Sequence, residues 1–315
     1  MFLASTSFWL DQVVNGLTIG SMYALIALGY TMVYGVLKMI NFAHGEVFML
    51  GSYAGFGVLV AFGGESIAGP MVVLAIAAAF VGAALASASV SVVLERVAYR
   101  PLRNAPRLAP LITAIGASIF LQFLVLDVTG AKASFYPRIF PSGSIEVGAF
   151  RITYLQLFLV GCSVAMMLFL YIVVQRTAVG RSIRAVAENR TAASLMGIDV
   201  DRAIVTTFVL GAAMAGVAGV LWGLFFLQVR GSMGFLPGIK AFTAAVLGGI
   251  GSIPGAMVGG YFLGLAETVG REALSAIPGL NFPNEWRDVI AFSLLVLVLL
   301  FRPTGIFGEL VSRRA

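Results

Sequence analysis

Charge is what this sequence has least of. Its 315 residues include 20 Lys and Arg and 14 Asp and Glu, so 11% are charged; a soluble globular domain carries about 25%. Such a chain cannot cover its own surface in water and needs lipid as solvent for much of it. Cys162 is the only cysteine, which excludes an internal disulfide and a cysteine-cluster metal site. His44 is the only histidine, so a histidine-rich metal site is excluded as well. No G-x-x-x-x-G-K-[ST] phosphate loop occurs, and the chain is not expected to hydrolyse ATP itself. Neither a G-x-S-x-G elbow nor an H-E-x-x-H pair is present, so no catalytic residue, metal or cofactor is expected. The first 37 residues hold no Lys or Arg, so the positive n-region of a signal peptide is missing and the first apolar run should stay.

What the sequence does have is apolar length. Hydrophobic residues make up 60% of it, and the mean hydropathy is +0.99. Apolar runs fall near 13–37, 43–62, 68–94, 108–128, 154–174, 204–228, 239–268 and 289–301. At about 20 residues per span, residues 1–315 read as a single transmembrane domain. The fold class is an all-α, polytopic helix bundle of about eight membrane segments. Glycine, at 37 residues, lets apolar helices approach closely. Small-xxx-small pairs at Gly16/Gly20, Gly51/Gly55, Ala212/Gly216, Gly255/Gly259 and Gly260/Gly264 together favour a compact bundle.

The pI near 9.7 is compatible with nucleic acid, but the positions of the charges argue against that partner. Arg96, Arg100, Arg103 and Arg107 share one short loop, and Arg176, Arg181, Arg184, Arg190 and Arg202 share another. Arg302, Arg313 and Arg314 mark the C-terminus. They flank apolar runs, as cytoplasmic loops do under the positive-inside rule. Orientation follows: the N-terminus is expected to be periplasmic, 175–203 cytoplasmic, and 129–153 a periplasmic loop. Phe135, Tyr136, Pro137, Phe140 and Pro141 in that loop suit aromatic anchoring at headgroup level.

A single helix over 239–268 would leave the C-terminal arginines outside. Its centre, Gly248-Gly249-Ile250-Gly251-Ser252-Ile253-Pro254-Gly255, should break a helix. Two segments, 239–248 and 255–268, forming a re-entrant pair restore a cytoplasmic C-terminus. A weak internal symmetry is also expected. A span ending at Leu37 leads through a polar break into a Gly-spaced helix, and a span ending near Gln228 does the same in the opposite direction. Inverted repeats with broken helices are a common transporter plan.

Two polar stretches stand out. In Lys38–Glu46, Asn41 suits an N-cap, and His44 and Glu46 would lie in the first turn of the next helix, where a carboxylate is favoured. The plain alternative is a capped, partly buried helix start; the functional one is a pathway or an intersubunit contact. The second stretch is 175–203. There Ile183, Val186, Ala187, Ala193, Leu195 and Met196 recur near helical spacing among Arg184, Glu188 and Arg190. An amphipathic helix of this kind suits a membrane surface or a partner's groove, and an ordinary topogenic loop is the alternative. Apart from Asp127, the full spans are read as lacking the buried Asp, Glu and Arg of an ion-coupled carrier.

NGLTIGSMYALIALGYTMVYGVLKMINFAHGE resembles the LivH-type permeases of bacterial branched-chain amino acid ABC importers. AVAENRTAASLMGIDVDR, GIKAFTAAVLGGIGSIPGAMVGGYFLGLAE and FRPTGIFG are similar to the same family in the same order. The resemblance implies a type II-like importer permease in the bacterial inner membrane, paired with a LivM-type permease. LivG- and LivF-type ATPases would use the ATP, and a periplasmic binding protein would deliver Leu, Ile or Val. It further implies that 175–203 is the coupling helix, with Gly180, Arg184, Glu188, Ala192, Ala193, Gly197 and Asp199 against an ATPase. Asn41, His44 and Glu46, with Lys240, Gly249 and Gly251, would sit near the pathway or the paired permease. A urea or short-chain amide importer and an ATPase-independent channel or carrier are the rival readings; a membrane enzyme lacks its catalytic constellation.

Overall fold

An apolar stretch with no polar face has one stable place in a bundle, its centre. The first helix, α1 (Thr6–Leu37), takes that place and is almost wholly buried. The computed structural model describes residues 6–103, 105–106, 108–148, 150–277, 282–302 and 304–308. Arg107, Arg313 and Arg314 lie outside the described residues. Around α1 stand α2 (His44–Ala61), α3 (Pro70–Leu94), α4 (Leu108–Thr129), α5 (Tyr154–Arg176), α8 (Val200–Phe226), α9 (Phe235–Gly248), α10 (Ile253–Ser275) and α11 (Trp286–Phe301). Two short helices, α6 (Ala178–Glu188) and α7 (Arg190–Leu195), project at one end. Among the described residues five helices, α1, α3, α4, α5 and α8, are long and apolar enough to cross a membrane. Of these, α3, α4 and α5 keep most of their apolar surface on the outside.

The helix directions follow from glycine contacts. Gly16 of α1 meets Gly264 and Thr268 of α10, and Gly20 meets Gly260 and Tyr261, so the two helices are antiparallel. In the second half, Gly216 of α8 meets Ala83 and Ser87 of α3, and Ser91 donates to the Phe208 carbonyl at 3.3 Å, again antiparallel. Tyr23 faces Trp222 with ring centroids 6.0 Å apart, and Gly29 faces Gly211, so α1 and α8 run oppositely. Each of these long helices ends in a non-glycine residue with positive φ, Lys38 (57°) and Leu227 (54°). Each is followed by a non-helical stretch and then a second helix, α2 or α9. The two halves thus share, in opposite directions, the order of long helix, break and second helix.

The Gly/Pro cluster breaks the late apolar run as expected. Gly249 (φ 103°) and Gly251 (φ 102°) make the turn between α9 and α10, in a region of φ that side chains rarely adopt. The pair is deeper than a shallow loop, because α10 has 23 residues, about 35 Å of helix. The turn reaches the end of the bundle where α1 finishes, and shares a cleft with Lys38 and Arg184. The C-terminal stretch covers it: Ile306 N–H donates to the Leu247 carbonyl (2.9 Å) and Phe307 N–H to that of Gly248 (3.0 Å).

The 129–153 segment differs from an anchoring loop. It contains a hairpin of β2 (Ser144–Val147) and β3 (Phe150–Thr153), and β1 (Ser134–Phe135) pairs antiparallel with β4 (Gln228–Val229) after α8. That ribbon turns Tyr136 inward, where its hydroxyl donates to the Ser52 carbonyl at 2.7 Å, while Phe135 stays exposed. Tyr136 therefore caps the bundle with Pro137, while Phe135 and Pro141 face outward. A test of the topology uses a Cys162→Ala background with single cysteines at Gly148, Ser252 or Ser275. Positions 148 and 275 should label from one side of the membrane and 252 from the other; labelling of 252 and 275 from one side would refute the arrangement.

Candidate functional site

The break after α1 brings the first polar block to the middle of the bundle. α2 begins at His44 with Ala43 as its cap residue, and no side chain caps it. Asn41, expected to be that cap, instead turns its amide oxygen to accept from the Tyr99 hydroxyl at 2.6 Å. The buried phenol offers a donor where the backbone cap does not reach. His44 packs edge-on against Tyr30, with ring centroids 4.9 Å apart. Glu46 is 1% exposed and accepts from the Ser118 hydroxyl at 3.4 Å. Its other carboxylate oxygen lies beside Gly234, the residue preceding α9. That oxygen is buried there without a hydrogen-bond partner among the described residues. Gly45 is packed so closely on Gly234 that a Cβ would stand 2.5 Å from the Gly234 carbonyl oxygen. The starts of α2 and α9 thus cross here, and Asn41, His44 and Glu46 are all enclosed by this chain.

Lys240 belongs to a second cluster. Its ammonium lies 3.1 Å from Glu267 on α10 and 2.6 Å from Asp288 on α11. The Tyr23 hydroxyl donates to Glu267 at 3.1 Å, and the Lys240 ammonium stands 5.9 Å from the Tyr23 ring centroid. Glu267 overturns the expectation that the full spans hold no buried acid, since α10 carries it into the core; Asp127, the one acid expected, is exposed. The signal was available: Lys240 and Glu267 are the only charged residues between Arg230 and Arg271. Above the cluster a cavity of about 300 Å³ is lined by Trp222, Arg230, Met233, Leu236, Lys240 and Asp288, among others. Gly249 and Gly251 lie apart from both clusters, in the α9–α10 turn.

The 175–203 segment is two helices, α6 and α7, broken at Asn189, where a single amphipathic helix was expected. Thr177 and Asn189 cap them by accepting from the Gly180 and Ala192 N–H groups. Gly180 packs against the last turn of α5 without room for a side chain, and Arg184 donates to the Val174 carbonyl there. Ile183, Val186 and Ala193 are buried against the bundle, whereas Leu195 (84% exposed) and Met196 (82%) point away from it. Glu188, at the end of α6, and Ala192, on α7, are exposed as well. Gly197 turns the chain at φ 81°, and Asp199 caps α8 by accepting from the Arg202 N–H at 2.9 Å. Arg190 donates to the Val36 carbonyl of α1 at 3.0 Å. Burial, and then the like charge of Arg103, push its guanidinium below the ordinary arginine pKa. Arg100 and Arg103 both pair with Asp201 at the start of α8, and Arg103 also with Glu95. Spacing alone did not reveal this network.

The model of the family described as branched-chain amino acid transport system / permease component matches residues 12–299. The chain belongs to this family. This permease is 48% identical over 308 residues to the high-affinity branched-chain amino acid transport system permease protein BraD of Pseudomonas aeruginosa, covering 96% of each chain. It is 49% identical over 306 residues to LivH of Escherichia coli (strain K12), again covering 96% of each. A probable LivH of Methanocaldococcus jannaschii is 29% identical over 298 residues, covering 91% of this chain and 89% of that one.

The buried cluster generates a direct prediction. Lys240→Met strands Glu267 as an unpaired buried charge, which should cost about 3–5 kcal/mol. Adding Glu267→Leu removes that charge and should recover much of the loss. Thermal unfolding of the purified permease reads the order; a double variant less stable than the single would refute it.

Proposed function

We propose that this permease is the membrane subunit of an ATP-driven bacterial importer that carries leucine, isoleucine and valine across the inner membrane. The observation that carries the reading is the 48% and 49% identity, over 96% of the chain, to permeases named for that transport. A LivM-type permease would complete the pathway, LivG- and LivF-type ATPases would supply the energy, and a periplasmic protein would deliver the amino acid. Arg176, Arg181, Arg184, Arg190 and Arg202 gather at the α6–α7 end, which supports placing that end in the cytoplasm under the positive-inside rule. On that orientation the N-terminus is periplasmic and the C-terminus cytoplasmic.

The coupling reading rests on the shape of α6 and α7. Leu195 and Met196, the two most exposed apolar side chains of the projection, form its tip, the form in which a short helix enters a groove. Motion of the tip has two routes inward: Arg190 holds the end of α1, and Arg184 holds the end of α5. The cleft that Arg184 shares with Gly251 and Lys38, about 600 Å³, separates α6 from the α9–α10 turn and leaves space for movement. Closure of the ATPases would shift α6 and α7, tilt α1 against its neighbours and change which side of the membrane the pathway faces.

The deciding experiment is uptake by the reconstituted complex. Leucine should accumulate only with ATP, both ATPases and the binding protein; accumulation by this chain alone down a gradient would favour a carrier. Competition by urea or acetamide in place of isoleucine and valine would favour the amide importer. In the same assay, Leu195→Asp with Met196→Asp should lower uptake by about tenfold or more, the loss of a desolvated apolar anchor. ATPase co-purification should fall with it while membrane insertion stays intact. Uptake at the unmodified rate would overturn the coupling role of this tip.

A further inference from the structure

The cavity over Lys240 has a composition that the bundle does not need for packing. We propose that it is a transient subsite for a zwitterionic amino acid with an apolar side chain, formed by this chain alone. Its volume of about 300 Å³ is at the small end of ligand pockets. One wall is aromatic: Trp222 packs on Tyr23 and on Phe226, with centroids 6.0 and 4.4 Å away. Met233 and Leu236 extend that wall, and the apolar side chain would lie there.

The charges suit the other end of the ligand. Lys240 is held from behind by Glu267, and Asp288 meets it at the rim. Arg230, exposed at the rim, has no ion pair among the described residues. Lys240 and Arg230 stand with Glu267 and Asp288, so the site presents both signs of charge and not one. A molecule carrying both charges a few bonds apart can instead satisfy Arg230 with its carboxylate and Asp288 with its ammonium. The ammonium would also meet the face of an aromatic ring, a further attraction. Two of the anchoring side chains are partly exposed, Asp288 at 37%, so binding should be weak, on the order of millimolar. That suits a step on a path. The cavity lies beside the β1–β4 ribbon, at the end away from α6 and α7, where delivery would occur; the ligand class therefore rests on the importer reading.

The test uses the assembled permease and ATPase complex in detergent, without binding protein, and reads tryptophan fluorescence. Leucine should give a saturable change that Trp222→Phe removes. 4-Methylpentanoate and 3-methylbutylamine each keep the branched tail and lose one charge; both should bind about tenfold more weakly or worse, as loss of one charge-assisted hydrogen bond implies. Arg230→Gln, at an exposed position outside every ion pair of the described residues, should weaken leucine by a similar factor and raise the KM for uptake, as should Asp288→Asn. No fluorescence change, equal binding of a singly charged analogue, or unaltered binding in both variants would overturn the subsite. Uptake intact alongside any of these leaves the importer reading standing; leucine binding without any uptake refutes that reading and supports the subsite.

Discussion

In lipid no water is available to a broken helix, so every backbone polar group released by a break must be met inside the protein. This chain breaks twice where its two halves cross, at 38–43 and 228–234, and the rest of the structure is arranged to make that tolerable. The breaks fall beside α1 and α8, the most enclosed of the five long apolar helices. Close glycine contacts bring the start of α9 onto Gly45, which shuts lipid out of that break. At the far end of α9 the C-terminal stretch supplies N–H groups to the last carbonyls. Without these partners, two interrupted helices would leave several unpaired groups at several kcal/mol each.

The spans were legible because they depend on local composition. Hydropathy located α2 to α5, α8 and α11 within about four residues and the end but not the start of α1, and the Gly/Pro cluster placed the turn between α9 and α10. The direction of the C-terminal arginines was enough to require that turn. What spacing could not supply was any contact that depends on how helices cross. Lys240 and Glu267 lie 27 residues apart and meet only because the hairpin folds back on itself. Tyr136 reads as an interfacial anchor until the β1–β4 pairing turns it inward. The cap expected at Asn41 failed for a similar reason, since Tyr99, 58 residues away, offers its amide a better partner. Leu195 and Met196 continue the apolar rhythm of Ile183 and Val186, yet the break at Asn189 rotates them to the outside.

Arginine serves a different end at the α6–α7 side. Pairs as exposed as Arg100 with Asp201 contribute little to stability, typically 0–1 kcal/mol. Their value is in position. Arg103 joins Glu95 at the end of α3 to Asp201 at the start of α8, and Arg190 ties α7 to α1. Arginines of the kind that bias topology under the positive-inside rule here act as struts between the short helices and the bundle. Positive loops in such a protein therefore carry two kinds of information, and counting charges reads only the first.

The seam between α1 and α10 has a mechanical consequence. Gly16, Gly20, Gly260 and Gly264 bring the two backbones into direct contact, with no side chains between them to act as rollers or springs. Such a joint resists sliding because any shift of half a turn sets Cα atoms against carbonyls. The bundle is thus divided by stiffness: a glycine-welded keel along its axis, and an outer set, α3 to α5, whose longer side chains face a fluid. Motion sent through Arg190 would move the keel as one piece, a lever whose length is the thickness of the membrane.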